Sequence, residues 1–208
     1  MTDRNTRFQL IAEDRNLHDL ASALVRRQLA ETESPVVLST AVRLTHGCRP
    51  EALRQLVDRS SADHDVVLVV VDADGEGHGF PRRPTHRQKS GALQKLISGS
   101  GRGNVHVFAA SPCAEGWLLS MGPAIGLAIS AVLGVEFKPP PHWPTPASER
   151  DAKLALSDLL SSAIQGDHLP RLGFEFAAEI VAGADLSTLT NRSLTDFLVA
   201  TRRLMNAD

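Results

Sequence analysis

The chain has 208 residues, of which 42% are hydrophobic and 22% charged, and its formal net charge is −2. These values are typical of a folded globular protein with one well-buried core, and they exclude a disordered chain and a protein that binds nucleic acid through its overall charge. The sequence has two cysteines without a CxxC motif, which argues against a disulfide framework, and no tyrosine, which excludes a tyrosyl nucleophile. It opens on a polar stretch without a signal-peptide core, and no apolar run approaches the ~18 residues of a membrane span, so we expect a cytoplasmic protein with no membrane partner.

The spacing of apolar residues predicts strands and helices that alternate over the first two thirds of the chain. Strands are expected at 8–12, 35–44, 65–71 and 105–110, and helices at 17–29, 50–60, 86–97 and 113–121. The strand at 65–71 is apolar on both faces, as central parallel strands are. Such alternation is typical of βαβ units with right-handed crossovers. The predicted fold class is therefore α/β, with a parallel sheet of about four strands flanked by helices.

The composition changes after residue 135. The prolines in KPPPHWPTP exclude a helix or a central strand, so residues 136–148 are predicted to form a surface linker. Helical spacing returns afterwards, at 149–164, 174–182 and 193–205. We therefore predict an α/β domain over 1–135, a proline-rich linker over 136–148 and a helical C-terminal extension over 149–208. The apolar segment 121–133 indicates either a packed helix or the contact of a homodimer.

Acidic residues follow three of the four predicted strands. Glu13 and Asp14 follow the first, Asp72 and Asp74 follow the third, and Glu115 lies one helical turn beyond the fourth. Because the carboxyl ends of parallel strands share one edge of a sheet, we expect these side chains to lie close together. Clustered carboxylates take up protons unless a cation neutralises them, and oxygen ligands favour Mg²⁺ or Mn²⁺. The pattern predicts a divalent-cation site, although each acid alone is also typical of a helix cap or a turn.

Basic residues follow this acidic pattern along the chain. Arg82, Arg83, Arg87 and Lys89 come soon after the third strand, and Lys153 lies in the first helix of the C-terminal segment. Guanidinium and ammonium groups in such places bind phosphate oxygens, so the first four are candidate substrate-binding residues. The same run is also typical of a solvated loop and helix face.

Together these motifs resemble the TOPRIM fold shared by topoisomerases, primases and the OLD-type and RloB-like nucleases. Glu13 after the first strand and the sequence DAD at 72–74 carry the first part of the resemblance. The sequence SPCAEGWLL at 111–119 is similar to the PCFE-x-WLL segment of RloB-like and related short stand-alone TOPRIM proteins. The sequence DAK at 151–153 stands where that family tends to have Asp-Pro-Lys, and SLTDF at 193–197 ends the chain in a similar way.

The resemblance implies a metal-dependent nuclease that cleaves the phosphodiesters of DNA or RNA, with a place in bacterial defence against phage. It implies that Glu13 acts as a general acid or base or as a metal ligand, and that Asp72 and Asp74 ligate Mg²⁺ or Mn²⁺. It implies that Glu115 is an accessory ligand or orients a neighbouring group, and that Lys153 completes the catalytic set.

A non-catalytic role is one alternative. Ala12 and Ala114 stand where the family has a glycine and a bulky residue before its two glutamates, so the site could be degenerate. Relatives of this kind are often paired with ABC-type or AAA-type ATPases. The resemblance therefore implies that a non-catalytic module of this type would act as the partner of such an ATPase.

Phosphoaspartate chemistry is a second alternative. The sequence DADG at 72–75 resembles the first motif of haloacid-dehalogenase phosphatases. In a receiver-like arrangement, Glu13 and Asp14 would be the acidic pair, Asp72 the acceptor, Ser111 the hydroxyl, and Lys138 the lysine before a proline. Neither pattern accounts for the EGW sequence that begins at Glu115.

Overall fold

The computed structural model describes residues 6–32, 35–39, 42–43, 50–73, 85–98, 103–161 and 174–207. The strands are β1 (Arg7–Ala12), β2 (Val37–Leu38), β3 (Val42–Arg43), β4 (Val66–Asp72) and β5 (Val105–Ala110). The helices are α1 (Arg15–Thr32), α2 (Pro50–Asp63), α3 (His86–Ser98), α4 (Ala114–Leu119), α5 (Pro123–Leu133), α6 (Glu149–Ser161), α7 (Ala177–Gly183) and α8 (Arg192–Met205), with a 3-10 turn at Leu186–Thr188. The predicted α/β class is confirmed.

The sheet is parallel at every pairing, with β1 between β4 and the short strands β2 and β3, and with β5 beyond β4. Both short strands pair with the same edge of β1, since Phe8 is opposite Leu38 and Ile11 is opposite Val42. Residues 40, 41 and 44 lie outside the described residues. Within the described part of the strand predicted at 35–44, two short pieces occupy one edge position of the sheet.

Alternate residues of the central strands enter two separate hydrophobic layers. Leu68 and Val70 face the layer that contains α1, whereas Val67, Val69 and Val71 face the layer that contains α2 and α3. All five are fully buried. The prediction of a central strand that is apolar on both faces is confirmed, and it requires helices on both sides of the sheet.

The C-terminal helices pack on the α1 side of the sheet. Helix α7 packs against α1, α6 against α4, and α8 against both α1 and β5. Phe197 of α8 lies in the same hydrophobic cluster as Leu10 of β1 and Leu20 of α1. The last third of the chain thus completes the core of the sheet. Residues 134–148 form neither helix nor strand, and Trp143 stacks on Phe137 with ring centroids 6.3 Å apart.

Helix α5 buries one side and leaves Leu127, Val132 and Leu133 exposed. A homodimer through this helix stays a prediction. None of the helices among the described residues combines the length and the apolar character needed to cross a bilayer.

The junction between β5 and α4 is packed so closely that it requires a glycine. A Cβ atom added to Gly116 would lie 2.5 Å from Cδ of Pro112, well inside van der Waals contact, and a proline ring cannot rotate away. Trp117, the next residue, is fully buried, as expected for a core residue rather than a base-stacking platform. The glycine therefore lets α4 start directly against the end of β5.

We expect Gly116→Ala to lower the free energy of unfolding by about 1–3 kcal/mol, the usual cost of overpacking. Gly91 in α3 is the matched control, because a Cβ added there meets no atom within 4 Å. Gly91→Ala should raise the free energy of unfolding by about 0.5–1 kcal/mol. Urea unfolding of both variants measures the two effects, and equal stabilisation by both would show that the junction does not constrain residue 116.

Candidate functional site

Glu13 and Asp14 stand directly after β1, where the chain turns into α1. The amide of Glu13 donates to the carbonyl of Val70 at 3.0 Å, which extends the pairing of β1 with β4. Oδ1 of Asp14 accepts a hydrogen bond from the amide of Leu17 at 2.8 Å. Asp14 is thus the N-terminal cap of α1, which satisfies one of the unpaired amides of the first turn.

Asp72, the last residue of β4, is hydrogen-bonded to three other segments of the chain. Its amide donates to Oε2 of Glu13 at 2.9 Å, and its Oδ1 accepts from the amide of Ala114 at 2.9 Å. Its carbonyl accepts from Nζ of Lys89 in α3. Residues separated by 17 to 59 positions in sequence therefore meet at one strand end.

The electrostatic environment of Asp72 disfavours its charged form. Burial raises its pKa well above the ordinary value of 3.8, and the charges of Asp14, Glu13 and Glu115 raise it further, against the lowering effect of the hydrogen bond from Ala114. The structure therefore gathers the predicted acids Glu13, Asp72 and Glu115. A positive charge placed among them would favour the ionised form of Asp72.

Glu115, in the first turn of α4, is only 3% exposed. Nδ2 of Asn16 lies 3.5 Å from its Oε1. Burial, the charge of Glu115 and a side-chain hydrogen bond to Glu115 all raise the pKa of the Cys113 thiol. Cys113 is therefore a protonated donor that holds Glu115, and it is not an activated nucleophile.

Two of the four basic residues predicted to bind substrate, Arg87 and Lys89, have partners within the chain. Lys89 is 2% exposed and is bound to the carbonyl of Asp72. Arg87 donates to Asp196 of α8, with Nη2 3.0 Å from Oδ2. Both residues therefore contact the protein itself, and the direct use of Lys89 by a substrate would require this buried side chain to move.

Lys153 of α6 is half-exposed and forms an ion pair with Glu149. Desolvation alone would lower the pKa of Lys153, but the hydrogen bond to Glu149 and the charges of Glu115 and Glu149 hold this pKa above its ordinary value. Lys153 thus remains a cation, and Glu115 is one of the anions that act on it. A catalytic role of Lys153 stays a prediction.

Three predicted site residues, Asp74, Arg82 and Arg83, lie outside the described residues. Among the residues that the structure does describe, no group of three or more histidine, cysteine, aspartate or glutamate side chains is arranged to hold a metal ion. Two of the three predicted metal ligands, Glu13 and Asp72, are adjacent through the hydrogen bond at 2.9 Å. The complete ligand set therefore stays a prediction.

Sequence reasoning missed the contribution of polar residues at the start of α8. Asn191 caps this helix through the amide of Leu194 at 3.1 Å, and its Nδ2 donates to the carbonyl of Ser111 at 2.9 Å. Ser193 also binds Ser111. An asparagine before an apolar helix is a recognisable cap signal, but its partner some 80 positions away has no signature in the sequence.

Comparisons with family models, with curated proteins and with solved structures found no match for this chain.

The raised pKa of Asp72 gives a prediction about pH. From about pH 4 up to this raised pKa, the folded state holds a proton that the unfolded state has lost, so stability falls as the pH rises. Asp72→Asn cannot ionise and keeps an oxygen for the Ala114 amide. We expect this variant to melt a few degrees higher than the wild type at neutral pH, since ~1 kcal/mol corresponds to 2–4 °C for a chain of this size.

Melting curves between about pH 4 and 8 test this linkage. Asp63→Asn is the control, because Asp63 is exposed at the end of α2. The control should follow the wild-type pH profile, whereas the profile of Asp72→Asn should be flatter. A variant that is less stable than the wild type at every pH would contradict the prediction.

Proposed function

We propose that this protein is a metal-dependent nuclease of the TOPRIM type, which hydrolyses phosphodiesters of nucleic acid with Mg²⁺ or Mn²⁺. The observation that carries the proposal is the gathering of Glu13, Asp72 and Glu115 at the carboxyl end of a parallel sheet. In open parallel sheets this edge is where ligands bind. The resemblance of the motifs to RloB-like proteins supports the same activity.

The electrostatics of the cluster support a cation. Holding several carboxylates near one another costs free energy unless some are protonated or a positive charge lies among them. Asp72 shows this conflict, since its pKa is raised by burial and by Asp14, Glu13 and Glu115. Glu13 and Asp72, with Asp74, would hold the cation. When bound, a divalent cation supplies positive charge to the scissile phosphodiester and acidifies the attacking water.

The protein's own residues have separate tasks in this proposal. Glu13, with Oε2 held by the amide of Asp72, presents a carboxylate of fixed orientation that acts as ligand or general base. Glu115 is oriented by Asn16 and Cys113. Lys153, a cation near Glu115, is placed to balance charge that develops on the phosphate.

The resemblance to RloB-like proteins supports a role in defence against phage and an ATPase as partner. With such a partner, we expect cleavage by the isolated chain to be weak and to rise when the ATPase is added.

Metal binding is tested by melting in Mg²⁺ and Mn²⁺ titrations. We expect the wild type to gain about 2.7 kcal/mol at a cation concentration a hundred times Kd, because the ion binds only the folded state. Asp72→Asn should gain little, and Asp63→Asn should respond as the wild type does. The absence of any response in the wild type would remove the cation from the proposal.

Cleavage is tested with labelled single- and double-stranded DNA and RNA. Glu13→Gln keeps an oxygen for the Asp72 amide but loses the charge, so we expect cleavage to fall at least 10²-fold, as for the loss of a general base or ligand. The control is Glu51→Gln, since Glu51 is exposed in the first turn of α2. Equal cleavage by Glu13→Gln and the wild type would defeat the nuclease assignment.

A further inference from the structure

The N-terminal part of α8 contacts both sides of the carboxylate cluster. Asn191 and Ser193 bind the junction between β5 and α4, while Asp196 binds the start of α3. We call these three residues the α8 brace. Each contact joins residues about 75 to 110 positions apart in sequence.

Ser193 anchors the junction that carries Glu115. Its Oγ accepts from the amide of Ser111 at 2.9 Å and from Nε1 of Trp117 at 2.7 Å. It donates to Oδ1 of Asn191 at 2.8 Å. All hydrogen-bonding capacity of this hydroxyl is used, as is typical of buried polar groups that fix a single geometry. Ser193 thus binds one residue before Glu115 (Ser111) and one residue after it (Trp117), and these two bonds hold the backbone that carries Glu115.

Asp196 anchors the helix that carries Lys89. Its Oδ2 lies 3.0 Å from Nη2 of Arg87 and 3.1 Å from Nε2 of His86. Partial burial alone would raise the pKa of Asp196, but the hydrogen bonds from His86 and Arg87 hold it below its ordinary value. Asp196 is therefore an anion that holds the first turn of α3.

The contacts form a closed ring through Asp72. On one side, Asp196 binds Arg87 in α3, and Lys89 in the same helix binds the carbonyl of Asp72. From Oδ1 of Asp72 the ring passes to the amide of Ala114 and through the β5–α4 junction back to Ser193. A shift of α8 would therefore change the position of Asp72 from two sides.

We propose that the α8 brace positions the carboxylate cluster, with Ser193 and Asp196 as positioning residues for Asp72 and Glu115. This inference rests on the proposed nuclease function, which it deepens by naming the element that sets the geometry of the site. Asp196 and Arg87 side chains are 40% and 59% exposed, and ion pairs of such exposure contribute little to stability. Loss of this pair is therefore expected to change the stability of the fold little.

The test compares Asp196→Asn with Arg202→Gln. Arg202 also ties α8 to another helix, through Glu31 of α1 at 2.9 Å, and its exposure of 54% is close to that of Arg87. Neither Arg202 nor Glu31 is a member of the ring. Asp196→Asn removes the charge that α8 presents to His86 and Arg87, whose helix leads to Asp72, whereas Arg202→Gln removes an ion pair of the same helix that does not lead there.

The first readout is amide hydrogen exchange of Ala114 and Asp72 in the metal-free protein, because these amides donate to the carboxylates of Asp72 and Glu13. We expect exchange about ten times faster in Asp196→Asn, unchanged in Arg202→Gln, and near the wild-type rate in Asp196→Glu, with melting temperatures within a few degrees. Unchanged exchange in Asp196→Asn, or equal acceleration in both ion-pair variants, overturns the proposal.

The second readout is kinetic. Asp196→Asn should lower kcat about tenfold and leave KM unchanged, because the brace orients reacting groups and does not touch the substrate. The exchange experiment does not depend on nuclease activity. The nuclease proposal and the α8 brace can therefore be tested separately. If the wild type neither cleaves nor binds a cation, the nuclease proposal fails. The amide exchange rates then decide whether the α8 brace positions the carboxylate cluster. If the wild type cleaves and Asp196→Asn keeps its kcat and its exchange rates, only the brace fails.

Discussion

The structure depends on one constraint, the half-buried carboxyl of Asp72 that lies among other acids where β4 ends. A carboxyl in such a place must be hydrogen-bonded, neutralised or protonated, because burial without a partner disfavours its charged form. The amide of Ala114 donates to the carboxyl, the amide of Asp72 donates to Glu13, and Lys89 donates to the carbonyl of Asp72. Each partner belongs to a different segment, so the position of this single residue fixes how β1, α3 and α4 meet at the sheet edge.

The C-terminal helices have two roles in this arrangement. Their apolar residues, such as Ile180 and Phe197, complete the hydrophobic layer that α1 begins, and burial of this kind is the main source of stability. Their polar residues, such as Ser193 and Asp196, bind the segments around the carboxylates. The same helix thus contributes to the core with one face and to the geometry of the candidate site with its first turns.

The acids around Asp72 raise the pKa of this residue, which means that they disfavour its ionised form. The cluster therefore costs free energy locally, and the rest of the fold supplies enough stability to tolerate it. In most of a natural protein, buried polar groups have hydrogen-bond partners and like charges are kept apart. Exceptions occur mainly at functional sites, where activity requires the arrangement. The hydrogen bond from the Ala114 amide lowers the pKa of Asp72 without cancelling the opposite effect of burial and of the charges of Asp14, Glu13 and Glu115. The raised pKa of Asp72 marks the end of β4 as the place where the described structure shows such a cost.

The sequence by itself determined the α/β class, the central strand β4 and the helices, because hydrophobic periodicity reports which faces are buried. It also placed Glu13, Asp72 and Glu115 at strand ends, where the parallel topology then brought them together. Only the tertiary structure decided the rest: the division of the edge strand into two pieces, the binding of Lys89 to the Asp72 carbonyl, and the pairing of Arg87 with Asp196. The physical reason is that periodicity is local, whereas a hydrogen bond between residues 109 positions apart depends on how all the intervening elements pack.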